Sequence, residues 1–249
     1  MKLADVKKLH QKKYRSQLGY YLVEGEHLIL ELSQAAKSQP SLSKAIIYAT
    51  EDYSNWINEL NTPFSVVSVD AKQMAYISDT ETPQGIVACV PMPSAVQGDP
   101  STRHSSTERT IYLHEVQDPG NLGTILRTLA WFGHFRLLLS KNSVDPFNPK
   151  VVRASMGAIF HVPMELGVEL TELPKRFKRF AYLDMQGETI SHTTFADYDC
   201  YLFGNEARGV PRETLSACQA DAFTIKGKGD IESLNLASAV NICVYQLSL

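Results

Sequence analysis

The sequence predicts an α/β protein made of two α/β domains in tandem, and three observations carry that prediction. Helix-like and strand-like segments alternate from the N-terminus to about residue 90 and again from residue 110 to the end. Between the two series, residues 91–110 (PMPSAVQGDPSTRHSSTERT) are rich in Pro, Ser and Thr and lack an apolar period, as a linker does. The 249 residues are 44% hydrophobic and 20% charged, enough for one large core or two modest ones. The expected boundaries are a first domain over 1–92, a linker over 93–109 and a second domain over 110–249.

In the first domain, residues 2–17 and 25–37 read as helices, the latter with Leu28, Ile29 and Leu32 on one face. Short β-branched runs follow at 45–48, 64–69 and 85–90, and the segments 52–60 and 70–77 between them read as helical. In the second domain Thr110–Val116 reads as a strand, and a helix over 122–132 stops at Gly133. Strands are expected at 135–139, 180–185, 200–203 and 222–225, and a last helix over 233–247. This order predicts a mostly parallel sheet with helices on both faces, a fold that binds ligands at the carboxyl ends of its strands.

Composition excludes several classes. No stretch approaches the roughly 18 uncharged apolar residues of a membrane span, and no apolar run follows the basic N-terminus as a secretory signal requires. Cys89, Cys200, Cys218 and Cys243 are widely spaced, which argues against a zinc site or a disulfide framework and predicts reduced thiols in the cytoplasm; no metal is expected. The net charge of −3 is uninformative, but residues 1–15 carry Lys2, Lys7, Lys8, Lys12, Lys13 and Arg15 against Asp5 alone, a net +5. Two readings stand, a phosphate-contacting arm and a solvated helix face over buried Leu3, Val6 and Leu9.

Three segments hold the unusual residues. The first, Glu115-Val-Gln-Asp-Pro-Gly-Asn-Leu-Gly-Thr-Ile-Leu-Arg127, leaves a strand, turns and enters a helix, with Asn121 as candidate N-cap and Arg127 less than two turns further on. Arg127 is expected to project from the same end of the domain as the loop. The second, Gly204-Asn-Glu-Ala-Arg-Gly209, follows an apolar strand; its paired glycines suggest positive φ or close approach to a ligand. It has neither the Gly-Lys-Ser/Thr ending of a P-loop nor the dinucleotide pattern GxGxxG. The third, Ile225-Lys-Gly-Lys-Gly-Asp-Ile-Glu-Ser-Leu-Asn235, is a glycine-rich loop opening a helix, with Ser233 a candidate N-cap.

Taken together and in order, these segments resemble the three motifs of the SpoU–TrmH family within the SPOUT RNA methyltransferases. Asn148–Ala158, between the first two, also looks like the family, and the likeness covers about residues 108–249. Tyr21-Leu-Val-Glu-Gly25 followed by a helix is similar to the L30e-like substrate-binding domain that many members carry. The resemblance implies a SPOUT α/β domain with a C-terminal trefoil knot. It also implies S-adenosyl-L-methionine as cofactor, held at Met185, Gly204, Asn205, Gly209, Ile225, Ser233 and Leu234, and a homodimer in which one subunit can complete the other's site.

The reaction so implied is methyl transfer to a ribose 2′-hydroxyl. Arg127 matches the family's catalytic arginine, with Asn121, Glu206, Ser233 and Asn235 as further catalytic or positioning residues. A guanidinium keeps its proton at ordinary pH, which favours Arg127 as an orienter and charge stabiliser over a general base. The partner is RNA, with ribosomal RNA favoured over transfer RNA and Lys7, Lys8, Lys12, Lys13, Arg15 and Arg153 as contacts. Methylation of a base nitrogen and RNA binding without catalysis are the competing readings.

Overall fold

The computed structural model describes residues 1–93, 108–230 and 233–249. Most of the expected linker lies on residues 94–107, outside the described residues. Packing divides the chain into two units, 1–94 with 145–161 and 95–144 with 162–249.

In the first unit, α1 (Leu3–Lys8) and α2 (Lys12–Leu18) replace the single helix expected over 2–17. The helix breaks between them, and the Leu9 and His10 carbonyls freed there accept from Arg15 Nη1 at 2.8 and 2.9 Å. Arg15 also donates to Asp145 through Nε and Nη2 and is only 3% exposed. Its expected role as an RNA contact is therefore wrong: its donors seal a helix break and pair the Asp145 carboxylate. Val6 and Leu9 are buried, while Lys7, Lys8, Lys12 and Lys13 are exposed, so the arm is an amphipathic pair of helices with its lysines outward.

The unit continues with β1 (Tyr20–Glu24), α3 (Glu26–Ala36), β2 (Ile46–Ala49), α4 (Ser54–Leu60), β3 (Ser65–Ser68), α5 (Ala71–Ile77) and β4 (Ile86–Pro91). The sheet order is β1-β4-β2-β3, with β4 antiparallel to β1 and β2, and β2 parallel to β3. The continuous apolar run of β4 suits its inner position, where Ile86 to Val90 are all buried. α5 opens on a capping box in which Asp70 accepts from Gln73 N at 2.7 Å and Gln73 Oε1 accepts from Asp70 N at 3.0 Å.

The chain goes on through β5 (Arg109–Leu113), α6 (Pro119–Phe132), β6 (Phe135–Leu139), α7 (Pro149–Ser155), β7 (Met164–Leu166), α8 (Leu173–Arg176), β8 (Phe180–Thr189), β9 (Cys200–Phe203), α9 (Arg212–Ala217), β10 (Asp221–Thr224) and α10 (Leu236–Leu247). α7 packs in the first unit, although sequence places it inside the second domain. There Phe147 meets Tyr21 at 4.8 Å between ring centroids, and Gln39 Nε2 donates to the Phe160 carbonyl at 2.6 Å. Arg153, expected as an RNA contact, donates one nitrogen to Asp79 at 2.9 Å in this same packing.

The second unit holds one sheet, ordered β10-β8-β9-β5-β6-β7, and every pairing in it is parallel. Ile111, Tyr112 and Leu113 of inner strand β5 are wholly buried. Leu122, Ile125, Leu126 and Leu129 form the buried stripe of α6, and Val240, Cys243, Val244 and Leu247 that of α10. β8 runs four residues past its expected end and stays beside β10 through Thr189. Gly187 permits this, since a Cβ there would lie 2.7 Å from Ala222 and Phe223 backbone atoms. Among the described residues no helix is long and apolar enough to cross a membrane.

Two expected caps are corrected. Asp118, not Asn121, caps α6: its carboxylate accepts from Asn121 N at 2.7 Å, and Pro119 follows where a missing N–H costs nothing. Asn235, not Ser233, caps α10, accepting from Ser238 N at 3.2 Å.

Candidate active site

Three polypeptide segments, which follow β5, β9 and β10, converge beside Leu183, Asp184 and Met185 of β8 in the second unit. After β9 the chain folds into a tight loop in which Asn205 and Gly209 exchange both backbone hydrogen bonds at 2.9 Å. Asn205 is buried; its side-chain oxygen accepts from Ala207 N and Arg208 N, and its Nδ2 donates to the Glu115 carbonyl at 2.7 Å. The closed loop lies directly on Gly204. A Cβ at that position would sit 2.3 Å from the Gly209 carbonyl carbon and oxygen, so only glycine fits.

Glu206 projects from this loop to the turn before α6. Its carboxylate accepts from the backbone N–H groups of Gln117 and Asp118 at 3.1 Å and from Asn121 Nδ2 at 3.2 Å. Asn121 Oδ1 in turn accepts from Asn235 Nδ2 at 2.9 Å. Glu206, Asn121 and Asn235 thus form one hydrogen-bonded relay across all three segments. The two amides are fixed at one end by a carboxylate and at the other by the cap of α10, which determines how each side chain points.

The relay borders a cleft of about 1180 Å³. Met185, Gly204, Asn205, Gly209, Ile225, Ser233 and Leu234 all line it, as do Asn121, Glu206 and Asn235. Leu183, Phe203 and Ile242 add apolar wall. The volume exceeds the roughly 300–1000 Å³ of an ordinary small-molecule pocket, which leaves room for a cofactor and an acceptor group together. Apolar surface for the adenosyl moiety and exposed loop backbone for its polar groups fit S-adenosylmethionine.

Arg127 is the exception among the expected residues. It is exposed on α6 and does not line the cleft, and among the described residues it makes no hydrogen bond or ion pair. It lies one helical turn from Trp131, which is 85% exposed, so the two share a face.

Sequence reasoning also missed several groups. Asp184 lines the cleft with its side chain only 7% exposed, and Arg212 grips it through Nε and Nη2 at 2.9 and 2.6 Å. Burial alone would raise the Asp184 carboxyl; the Arg212 bonds and the Gln186 and Met185 N–H groups outweigh it and hold the group below the usual carboxylate range. Glu115 is held low chiefly by its bond from Asn142, and it pairs with Arg208 at 2.5 Å. His114, beside it, is pushed down by burial. Asp118 was detectable, because an acid before Pro-Gly at a helix start is a cap signal. The Asp184–Arg212 pair, 28 residues apart, leaves no mark in local pattern.

Residues 108–245 match the model of the SpoU rRNA methylase family. The chain belongs to that family. Residues 1–88 match the MRM3-like substrate binding domain. The chain is 30% identical over 250 residues to the 23S rRNA (guanosine(2553)-2'-O)-methyltransferase RlmP of Bacillus subtilis, covering 99% of this chain and 95% of that protein. It is 35% identical over 167 residues to the mouse mitochondrial rRNA methyltransferase 3, covering 65% of this chain and 38% of that longer protein. Among solved structures, a putative RNA methyltransferase of the TrmH family from Porphyromonas gingivalis superposes with a TM-score of 0.81 at 28% identity, covering 98% of this chain and 96% of the other. Within this SpoU chain the Glu206–Asn121–Asn235 relay is the physical bond between segments that sequence shows only as three separate motifs.

Proposed function

We propose that the chain is an S-adenosylmethionine-dependent methyltransferase acting on a ribose 2′-hydroxyl of ribosomal RNA. The observation that carries this reading is the relay from Glu206 through Asn121 to Asn235 on the wall of a cleft whose floor is Gly204. Bound S-adenosylmethionine supplies a methyl group made electrophilic by its positive sulfur. Transfer would join the 2′-oxygen to that methyl carbon, leave the sulfur a neutral thioether holding the bonding pair, and pass the hydroxyl proton to solvent water. The protein's task is to align the acceptor and manage that proton. Met185, Gly204, Asn205, Gly209, Ile225 and Leu234, which line the cleft, hold the cofactor. Asn121 and Asn235 fix the acceptor side, Glu206 locks the two loops together, and Ser233 offers a hydroxyl at the cleft edge. Arg127 orients the acceptor ribose and its phosphate and stabilises charge.

We read the protein as a homodimer in which Arg127 serves the partner's cleft. α6 and α10 pack together and leave Trp131, Tyr245 and Leu249 exposed at 85, 55 and 83%. Arg127 shares this face, and Ile242 of α10 connects it to the cleft. Such an apolar patch around a functional arginine suits a subunit interface. The C-terminal trefoil knot and the L30e-like character of the first domain belong to the same reading. So does the reducing cytoplasm, which suits four free cysteines.

The test is transfer of a tritiated methyl group to total RNA followed by nucleoside analysis. Label is expected in 2′-O-methylated nucleosides of ribosomal RNA; label in a base, or none, would overturn the reading. The exposed lysines of α1 and α2 are expected to contact RNA phosphate. Changing Lys7, Lys8, Lys12 and Lys13 to Gln should weaken RNA binding, with cofactor affinity unchanged. The salt dependence should flatten by roughly 0.7 slope units for each phosphate that is no longer neutralised. An unchanged slope would make these helices a solvated face only.

A further inference from the structure

We infer that the first unit carries a stacking platform for unpaired RNA nucleotides, formed by Tyr14 and Tyr76 among the lysines of α1, α2 and α5. This rests on the proposed RNA substrate and states which form of RNA the unit takes. The fold creates the platform by packing α5 against α1, although some sixty residues separate them in sequence. Lys7 then stands over the Tyr76 ring at 5.8 Å from its centroid, and Lys8 and Lys13 both flank the Tyr14 ring at 5.8 Å. Lys7 and Lys8 are consecutive on α1, so the two rings they meet border one patch. Tyr76 is 49% exposed, and Lys72 is one turn before it on the same helix face.

The acids nearby offset only part of this charge. Asp5 pairs with Lys8 at 2.9 Å and Asp70 caps α5, while among the described residues Lys7, Lys12, Lys13 and Lys72 make no ion pair. Residues 16–95 carry three lysines, Lys72 among them, against nine acids, so the basic charge of residues 1–95 is concentrated at this patch, which suits an anionic partner. Aromatic rings decide which anion. Duplex RNA presents phosphates and 2′-hydroxyls but keeps its base faces stacked, whereas unpaired bases offer a π-face to a ring. The lysines now over the rings do not block this. An exposed cation on a ring is worth about 2- to 5-fold in affinity, whereas one stacked base is worth about 5- to 150-fold. A base can therefore take the ring face while the displaced ammonium moves to the adjoining phosphate.

The test compares a fluorescein-labelled 12-nucleotide oligouridylate with a duplex of equal length by anisotropy, using the full chain. The wild type is expected to prefer the single strand. Tyr76→Ala and Tyr14→Ala should each lose at least about 5-fold in single-strand affinity. Their salt slope should stay unchanged, because a stacked base releases no counterions. Tyr76→Phe should keep the affinity and Tyr76→Leu should lose it, which separates stacking from apolar contact. Equal or tighter binding of the duplex, or wild-type affinity in both alanine variants, overturns the inference. Methyl transfer by the same wild-type preparation is scored separately, so a failed platform is distinguishable from a failed RNA methyltransferase reading.

Discussion

Gly204→Ala is expected to abolish S-adenosylmethionine binding in a protein that still folds. The new Cβ would fall 2.3 Å from the Gly209 carbonyl and 2.7 Å from Val210 N. Both are backbone atoms of a loop closed by two hydrogen bonds and by the buried Asn205, so neither can yield as a side chain would. The loop must lift, and it carries Glu206 and hence the relay to Asn121 and Asn235. The lesion is confined to the end of β9, whereas the sheet is held by its six-strand ladder and the stripes of α6 and α10. Wild-type protein at one hundred times the dissociation constant should gain about 2.7 kcal/mol of stability from the cofactor, and the variant none. Gly229→Ala is the control: its Cβ meets nothing within 4 Å although the residue lines the same cleft. A Gly204→Ala protein that binds cofactor within a few-fold of wild type would sink the assignment of this loop.

Much of this site was legible in sequence, for a physical reason. Glycines at 204 and 209, polar residues between them and an apolar strand before them are local consequences of a tight loop, and local constraints leave local patterns. Strand–helix alternation likewise predicts a mostly parallel sheet, and in the second unit every pairing is parallel. What pattern could not show was pairing at a distance. Glu206 meets Asn121 across 85 residues and Asn235 meets Asn121 across 114, and only the resemblance placed them together. Arg15 looked like one more cation in a basic run. The structure buries it on Asp145, 130 residues away, which charge counting cannot foresee. Asn121 and Asp118 are both good capping residues, and Pro119, which suits the first helical position, decides for Asp118. The helix break after Leu9 leaves carbonyls that Arg15 satisfies five and six residues on, a local bond that a count of charges does not register.

Arg127→Ala is expected to lower methyl transfer by at least about 10²- to 10³-fold, the scale of losing one donor to a developing charge. Cofactor affinity should be unchanged, because Arg127 does not line the cleft of its own chain. Arg127→Lys should fail as well, since an ammonium cannot reproduce a planar fork on ribose and phosphate. The decisive measurement uses two dead proteins. If Arg127 reaches across a dimer, a mixture reassociated from Arg127→Ala and Gly204→Ala chains contains heterodimers in which one cleft is intact and receives its arginine from the other subunit. Random association makes half the dimers mixed, each with one working site of two, so about one quarter of wild-type activity should return. An arginine acting within its own chain would restore none, because each cleft would lack either its arginine or its cofactor loop. The exposed Trp131 on the same face supplies an independent check: Trp131→Glu should split the dimer and remove activity while each chain keeps its cofactor site. Recovery in the mixture that disappears on adding Trp131→Glu to both chains would tie Arg127, the α6–α10 face and the partner's cleft into one catalytic unit.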